Sequence, residues 1–312
     1  MTQLTISEAR KELLIHPARA RQTRSRVQRQ DVVVVVVAVG RREHGDAADI
    51  YALAQKLHEA RPHSGARSAS EEVAPMSLLG RALLAFSHDV TPGSEPDWTE
   101  WHDRERIPER LSIPGFLRLR RYVALGAGPR FFYFYETESL DVLQSPAYLE
   151  RLSNPTPWTK RCMQYVVNNK RTACRVAATL GDALGGALGV VEVGPAPGRG
   201  DALRQWLVGT ALPAALAMPG MVGAHLGEAD AAATTVKTDE KKLLQTPDAM
   251  ARWLVMLEGV DRDMLARAMR QVLSDSALRA AGAEGEIDRR DYQLGFVMAA
   301  PDALGARRSK PS

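Results

Sequence analysis

Between residues 76 and 300 the polar and apolar positions follow a short series of patterns that is run through twice. Alternation predicts a strand over 81–90, and Asp97 with Glu100 three residues later has capping-box spacing for a helix from about 98 to 111. Ile113-Pro114-Gly115 stops that helix. Strands over 116–125 and 130–136 follow, separated by a Gly-Ala-Gly-Pro turn. A helix over 140–152 broken at Ser145-Pro146, a proline-rich loop over 154–158, a helical turn over 160–168 and a strand over 172–180 complete the series. It then restarts: a strand over 187–193, a helix over 201–216 stopped by Met218-Pro219-Gly220, and a strand over 221–228. A long polar connection over 230–248, a strand over 252–260, a helix over 262–280 and a strand over 288–298 close the second pass.

The two passes share fixed spacings. Trp101, Pro108 and Pro114-Gly115 recur 105 residues on as Trp206, Pro213 and Pro219-Gly220, and RFFYFYE from Arg130 is echoed by RWLVMLE from Arg252. Self-similarity at fixed spacing in two copies implies a duplicated unit. Each unit has the order βαββαβ, which makes a four-stranded antiparallel sheet with both helices on one face. The other face is apolar and needs cover, which a tandem copy supplies. The expected fold is therefore α+β, with two tandem ferredoxin-like units over 76–182 and 183–300 and a disordered tail over 301–312.

Residues 1–75 read differently. They hold one aromatic residue, an Arg-rich stretch over 19–29 and the run of valines from Val32. Three readings stand: a flexible basic extension, an additional strand and helix, or an upstream region read from too early a start. The apolar run begins too late for a secretory signal, so a non-core extension is expected.

Composition narrows the function classes. The chain is 45% hydrophobic and 25% charged, as in soluble globular proteins. Its net charge is +4, but twelve Lys/Arg against nine Asp/Glu in residues 1–75 place +3 of it there. No basic stripe with interleaved aromatics marks the repeats, which argues against nucleic acid, and no apolar run is long enough to span a membrane. Two cysteines, Cys162 and Cys174, fit a reducing, cytoplasmic setting.

Candidate chemistry concentrates on the helix over 98–111. His102 lies four residues before Arg106 and three before Glu105, so the three side chains are helical neighbours. A histidine so placed can act as general base on an enolisable or phenolic substrate, with arginine holding the oxyanion. The same pattern is also what a solvated, ion-paired helix face looks like. The second repeat replaces the set with Leu207, Thr210 and Ala211, which leaves at most one site per chain. His88 and His225 lie on strands where either can face the space between the sheets, or serve as hydrogen-bonded structural groups. The strand over 131–135 divides into Phe132 and Phe134 on one face and Phe131, Tyr133 and Tyr135 on the other. One set packs under helices, and the other can line an apolar pocket or simply fill core. Arg118 and Arg120 on the neighbouring strand, with Trp101, complete the candidate substrate-binding residues. No metal-ligand spacing, P-loop, dinucleotide fingerprint or GxSxG elbow occurs, so no metal and no cofactor are expected.

The helix WHDRERIPERLSIPGF from Trp101, with Ser145-Pro146-Ala147-Tyr148 and Asn154-Pro155-Thr156-Pro157-Trp158, resembles a WHxxEHxPERxxxPGF-type pattern. That pattern is similar to the EthD-like branch of the dimeric α+β barrel superfamily, over about residues 78–300. The resemblance implies an intrachain barrel of two ferredoxin-like units. It also implies cofactor-independent chemistry on a small hydrophobic carbonyl or aromatic compound: isomerase, lyase or monooxygenase. The superfamily also includes members without known activity, which makes a non-catalytic ligand-binding or accessory protein the alternative, and whole chains can pair further as homodimers. One departure stands out: the histidine usual two residues before the helix proline is Arg106 here and Ala211 in the second copy.

Overall fold

A computed structural model describes residues 25–29, 32–36, 77–234 and 252–300 of the protein. The chain divides into two units, Met1–Glu71 and Glu72–Ser312. In the first, β1 (Ser25–Arg29) pairs antiparallel with β2 (Val32–Val36), which contains most of the valine run. The predicted helix near residue 50, the later part of the 230–248 connection and the tail lie outside the described residues.

The second unit carries both repeats. The first contributes β3 (Ala82–Val90), β4 (Phe116–Ala124), β5 (Phe131–Thr137) and β6 (Val166–Leu180); the second contributes β7 (Ala187–Pro195), β8 (Met221–Ala229), β9 (Trp253–Gly259) and β10 (Ala283–Ala299). Within each repeat the strand order is the ferredoxin-like fourth, first, third, second. The two sheets do not merely face each other. β10 pairs with β4 and β6 pairs with β8, so every edge is used and eight antiparallel strands close into a barrel. Closure removes the unpaired sheet edges that two stacked sheets would leave.

Strand alternation sorts the side chains into three apolar layers. Leu83, Ala85, Tyr122, Phe132, Phe134, Leu188, Val190, Met256 and Tyr292 fill the barrel interior. The opposite face of the first repeat packs under its helices with Leu84, Leu119, Phe131, Tyr133 and Tyr135, and the second repeat does the same with Val191, Val193, Leu226 and Val255. Tyr133 and Tyr135 therefore lie in the helix-side layer, and Phe132 and Phe134 line the interior.

The first helix runs from Glu95, three residues before the predicted start at 98. Its segments are Glu95–Trp101, a π-helical turn His102–Arg106 and Ile107–Leu111. Trp98, Trp101, His102, Arg106, Ile107, Arg110 and Leu111 form its buried stripe. Asp97 is not the cap. Ser94 holds that place, and the Asp97 carboxylate accepts from Trp158 Nε1 at 3.1 Å, Arg161 Nε at 3.0 Å and Tyr165 OH at 3.2 Å. Arg161 and the other two donors hold this carboxyl down at about pKa 2.

The π turn recurs at Leu207–Ala211, between Gly200–Trp206 and Leu212–Leu216. In each copy a proline follows two residues later, Pro108 or Pro213, with no N–H for the residue four back. Ile107 N–H instead reaches His102 O, and Leu212 N–H reaches Leu207 O. The widened turn therefore belongs to the fold, and not to one repeat's chemistry.

Two further boundaries moved. The predicted turn over 160–168 is an α-helix, Pro157–Cys162, and a 3-10 turn, Met163–Tyr165, before a longer β6. The predicted helix over 262–280 is two, Arg262–Val272 and Asp275–Ala281, because the Ser274 side chain caps the second by accepting from Ala277 N–H. Cys162 and Cys174 are both free and buried.

Candidate functional site

The predicted site residues separate into two places. His88, Trp101, His102, Glu105, Arg106, Tyr133 and Tyr135 belong to the layer between helices and sheet of the first repeat. Arg118 and Arg120 belong to the other face of β4, at the barrel interior.

In the helix-side layer, His102 on the first helix meets His88 on β3 through shared aromatic neighbours. His102 stacks on Trp98 with centroids 4.6 Å apart, and Tyr133 is 4.7 Å away. His88 lies edge-on to the same Trp98 at 4.9 Å and to Tyr133 at 5.6 Å. Phe86 stacks on Tyr133 at 4.9 Å. His88 thus faces the helices and not the space between the sheets, because Leu84, Phe86 and His88 share one side of β3.

Each imidazole makes one hydrogen bond, and each bond fixes a tautomer. Arg121 Nη1 lies 2.9 Å from His102 Nδ1. A guanidinium only donates, so Nδ1 accepts and the ring proton sits on Nε2. His88 Nδ1 lies 3.0 Å from the Asp89 carbonyl oxygen, which only accepts, so Nδ1 carries the proton and Nε2 holds a lone pair. Neither Nε2 has a hydrogen-bond partner among the described residues, although both rings are buried. The pair offers one donor and one acceptor within a single aromatic nest.

Burial also keeps both rings neutral. It lowers His88 to about pKa 4, against a smaller opposing pull from the Asp89 carbonyl and carboxylate. Burial, then the charges of Arg121, His88 and Arg106, hold His102 well below the ordinary histidine value.

The neighbours predicted with His102 have other occupations. Glu105 Oε1 accepts from Trp101 Nε1 at 3.1 Å, Thr156 Oγ1 at 2.6 Å and Thr159 Oγ1 at 3.1 Å. It clamps Thr156 and Thr159 to the first helix, so the carboxylate expected beside His102 is engaged in structural hydrogen bonds. Trp101 is part of that clamp. The Arg106 guanidinium lies over the Trp101 ring at 5.7 Å, buried, and acts on His102 by its charge. Tyr135 packs edge-on against Phe116 at 5.6 Å and Tyr133 at 6.2 Å.

Arg118 and Arg120, expected at the substrate, meet the protein's own carboxylates. Arg118 Nε donates to Glu136 Oε1 at 2.8 Å, and Arg120 bridges Glu136 Oε1 at 3.0 Å and Glu258 Oε1 at 2.6 Å. His225, on the interior face of β8, donates from Nε2 to Glu258 Oε1 at 3.0 Å. Arg120 places these groups in a closed ionic network.

Sequence reasoning missed Trp98 and Arg121. Both carried a signal: Trp98 precedes His102 by one helical turn, and Arg121 must point opposite to Arg118 and Arg120 by alternation.

The second repeat holds the same backbone positions with apolar residues. His88, Trp98, His102, Arg106, Arg121 and Tyr133 correspond to Val193, Leu203, Leu207, Ala211, Leu226 and Val255. All six of these are buried in that repeat's core.

Among the described residues no group of three or more His, Cys, Asp and Glu is arranged to hold a metal ion, and no helix is long and apolar enough to cross a membrane. No family model matches the chain, and no curated protein matches it. Solved structures do. One is an anthrone oxidase-like protein, 16% identical, with 77% of this chain and 98% of that chain covered at a TM-score of 0.48. A second is a candidate monooxygenase from Fusobacterium nucleatum subsp. nucleatum, 10% identical, with 70% and 94% covered at 0.47. A third is a candidate monooxygenase from Lactobacillus acidophilus, 6% identical, with 70% and 97% covered at 0.45.

Proposed function

We propose that the protein is a cofactor-independent enzyme of the EthD-like kind, acting on a small hydrophobic carbonyl or phenolic compound at the His88–His102 nest. One observation carries this reading: the same fold position is polar in one repeat and apolar in the other. A buried ring nitrogen without a partner costs on the order of 1–3 kcal/mol. Val193 and Leu207 meet the packing requirement in the second repeat without that cost. The fold therefore does not require His88 and His102, and a bound group that accepts from one Nε2 and donates to the other accounts for both.

The roles follow from the tautomers. His102 carries its proton on Nε2, so it is the donor to an oxyanion, not the base expected from helical spacing. His88 Nε2 is the proton acceptor, its ring neutral at pH 7 because burial lowers its pKa to about 4. Proton transfer from an acidic C–H or O–H of the substrate to His88 leaves an enolate or phenolate. His102 Nε2–H stabilises its oxygen, with the buried charges of Arg106 and Arg121 behind it. Trp98, Tyr133 and Phe86 supply flat apolar walls. Isomerisation, lyase chemistry and oxygenation all begin from such an anion.

The test is a turnover screen over enolisable and phenolic ring compounds, paired with binding measured by tryptophan fluorescence. Conversion of at least one compound, lost in His88→Val and in His102→Ala while both stay folded, supports the reading. Binding without conversion in any protein would instead favour a ligand-binding protein. Equal binding and turnover in the wild type and both variants would refute a site here.

A further inference from the structure

Arg121 belongs to neither helix nor nest, yet it is the only group hydrogen-bonded to His102 among the described residues. It is itself held from several sides. Its guanidinium forms a two-pronged pair with the Asp103 carboxylate, with Nη2 to Oδ2 at 3.2 Å. Its plane lies 5.8 Å from the Trp98 ring and 5.2 Å from the Phe296 ring. Phe296 comes from β10, the last strand of the second repeat, and stands directly opposite Arg121 in the β10–β4 ladder. A guanidinium gripped by a carboxylate and two aromatic rings has little freedom to turn its Nη1 away from His102.

We infer that Arg121 is a positioning residue that sets the protonation site of His102, keeping Nδ1 an acceptor so that Nε2 presents N–H to the substrate oxygen. The role in turnover rests on the reading proposed above; the role in the tautomer does not. Neutral imidazole has no strong intrinsic choice between its two nitrogens, and the partner of one decides the state of the other. The repeats carry the same message. Where His102 becomes Leu207, Arg121 becomes Leu226 and Asp103 becomes Val208, so the three polar residues are absent together from the second copy. An arginine kept only to join helix and strand would still serve there; one kept for His102 would not.

The experiment is long-range proton–nitrogen correlation NMR on the full chain with histidine ring nitrogens labelled, His102 being assigned by its loss in His102→Leu. Wild-type protein is expected to show His102 protonated on Nε2. Arg121→Met is expected to lose the fixed tautomer, giving a mixture or transfer to Nδ1, while Arg121→Lys, which keeps a donor, retains it. Should Arg121→Met fail to fold, the wild-type and Arg121→Lys spectra decide the matter. A proton on His102 Nδ1 in either protein, or an unchanged tautomer in Arg121→Met, overturns the assignment. Because the spectra need no substrate, a tautomer that shifts in a protein without turnover sinks only the enzymatic reading. Turnover that disappears with the tautomer unchanged sinks only the positioning role.

Discussion

Arg120 and His225 stand at equivalent positions on β4 and β8, and both donate to the same oxygen, Glu258 Oε1, at 2.6 and 3.0 Å. The pseudo-twofold relation between the repeats is thus broken at one atom inside the barrel. Glu136 and Glu258 are themselves equivalent, and each also accepts a backbone N–H, from Leu79 at 2.6 Å and Gly185 at 2.8 Å. Burial alone would push the Glu258 carboxyl up, but the Arg120 charge and the bond from His225 outweigh it and hold the group at about 2.

Glu258→Gln should therefore destabilise the protein by about 3–5 kcal/mol, since it leaves Arg120 with half its counter-charge in an apolar interior. The pH dependence has a definite sign. A carboxyl lowered from an ordinary value of 4.5 to about 2 contributes stability that is full above pH 4.5 and fades as pH falls toward 2. Denaturant titrations of wild type and variant should show a gap that narrows across this window. A constant gap would mean that Glu258 is not ionised in the folded state.

His88 predicts a second window. Its folded value of about 4 lies below the ordinary 6.5, so the unfolded chain binds the extra proton between those limits. Stability contributed by neutral His88 is complete above pH 6.5 and falls by on the order of 3 kcal/mol down to pH 4. His88→Val, which copies Val193, should remove that part of the slope in denaturation midpoints measured from pH 7 to pH 4.5.

His102→Leu copies the second repeat at Leu207. At pH 7 it should leave stability unchanged or raise it by about 1 kcal/mol, because an unpartnered buried N–H disappears. Turnover or binding at the nest should fall by about 10²-fold or more. A loss of several kcal/mol in stability would instead make His102 a structural residue.

Glu105→Ala should act the other way. Trp101, Thr156 and Thr159 lose a shared acceptor, which costs about 2 kcal/mol and frees the Asn154–Trp158 segment. Limited proteolysis should find new cleavage there, with a smaller effect on chemistry than His102→Leu.

Most of the fold could be read from the chain because period-two alternation and proline–glycine stops are local signals. The order of elements and the pairing of Trp101 with Trp206 needed nothing else. β6 extends six residues before the predicted start because Val166, Val167 and Lys170 pair with Val90, Asp89 and Ser87 of β3, across a register irregularity at Asn168 and Asn169 that hides the alternation. β10 began early for the same reason, with Ala283 and Glu284 drawn in by β7. Asp97 looked like a cap because capping-box spacing says nothing about competing donors sixty residues away. At the site, alternation separated Tyr133 from Phe134 correctly. It did not say which face the helices would cover, and that one bit decided that His88 meets His102 while His225 meets Glu258.

Closure through β10 has a hereditary consequence. The strand that brings Phe296 against Arg121 is the last of the second repeat, so part of the support behind the His88–His102 nest is encoded in the other copy. A copy that holds apolar residues at these positions still cannot be deleted or exchanged freely. Natural variation at Phe296 and around it should follow the first repeat's residues more closely than those of the repeat in which it lies.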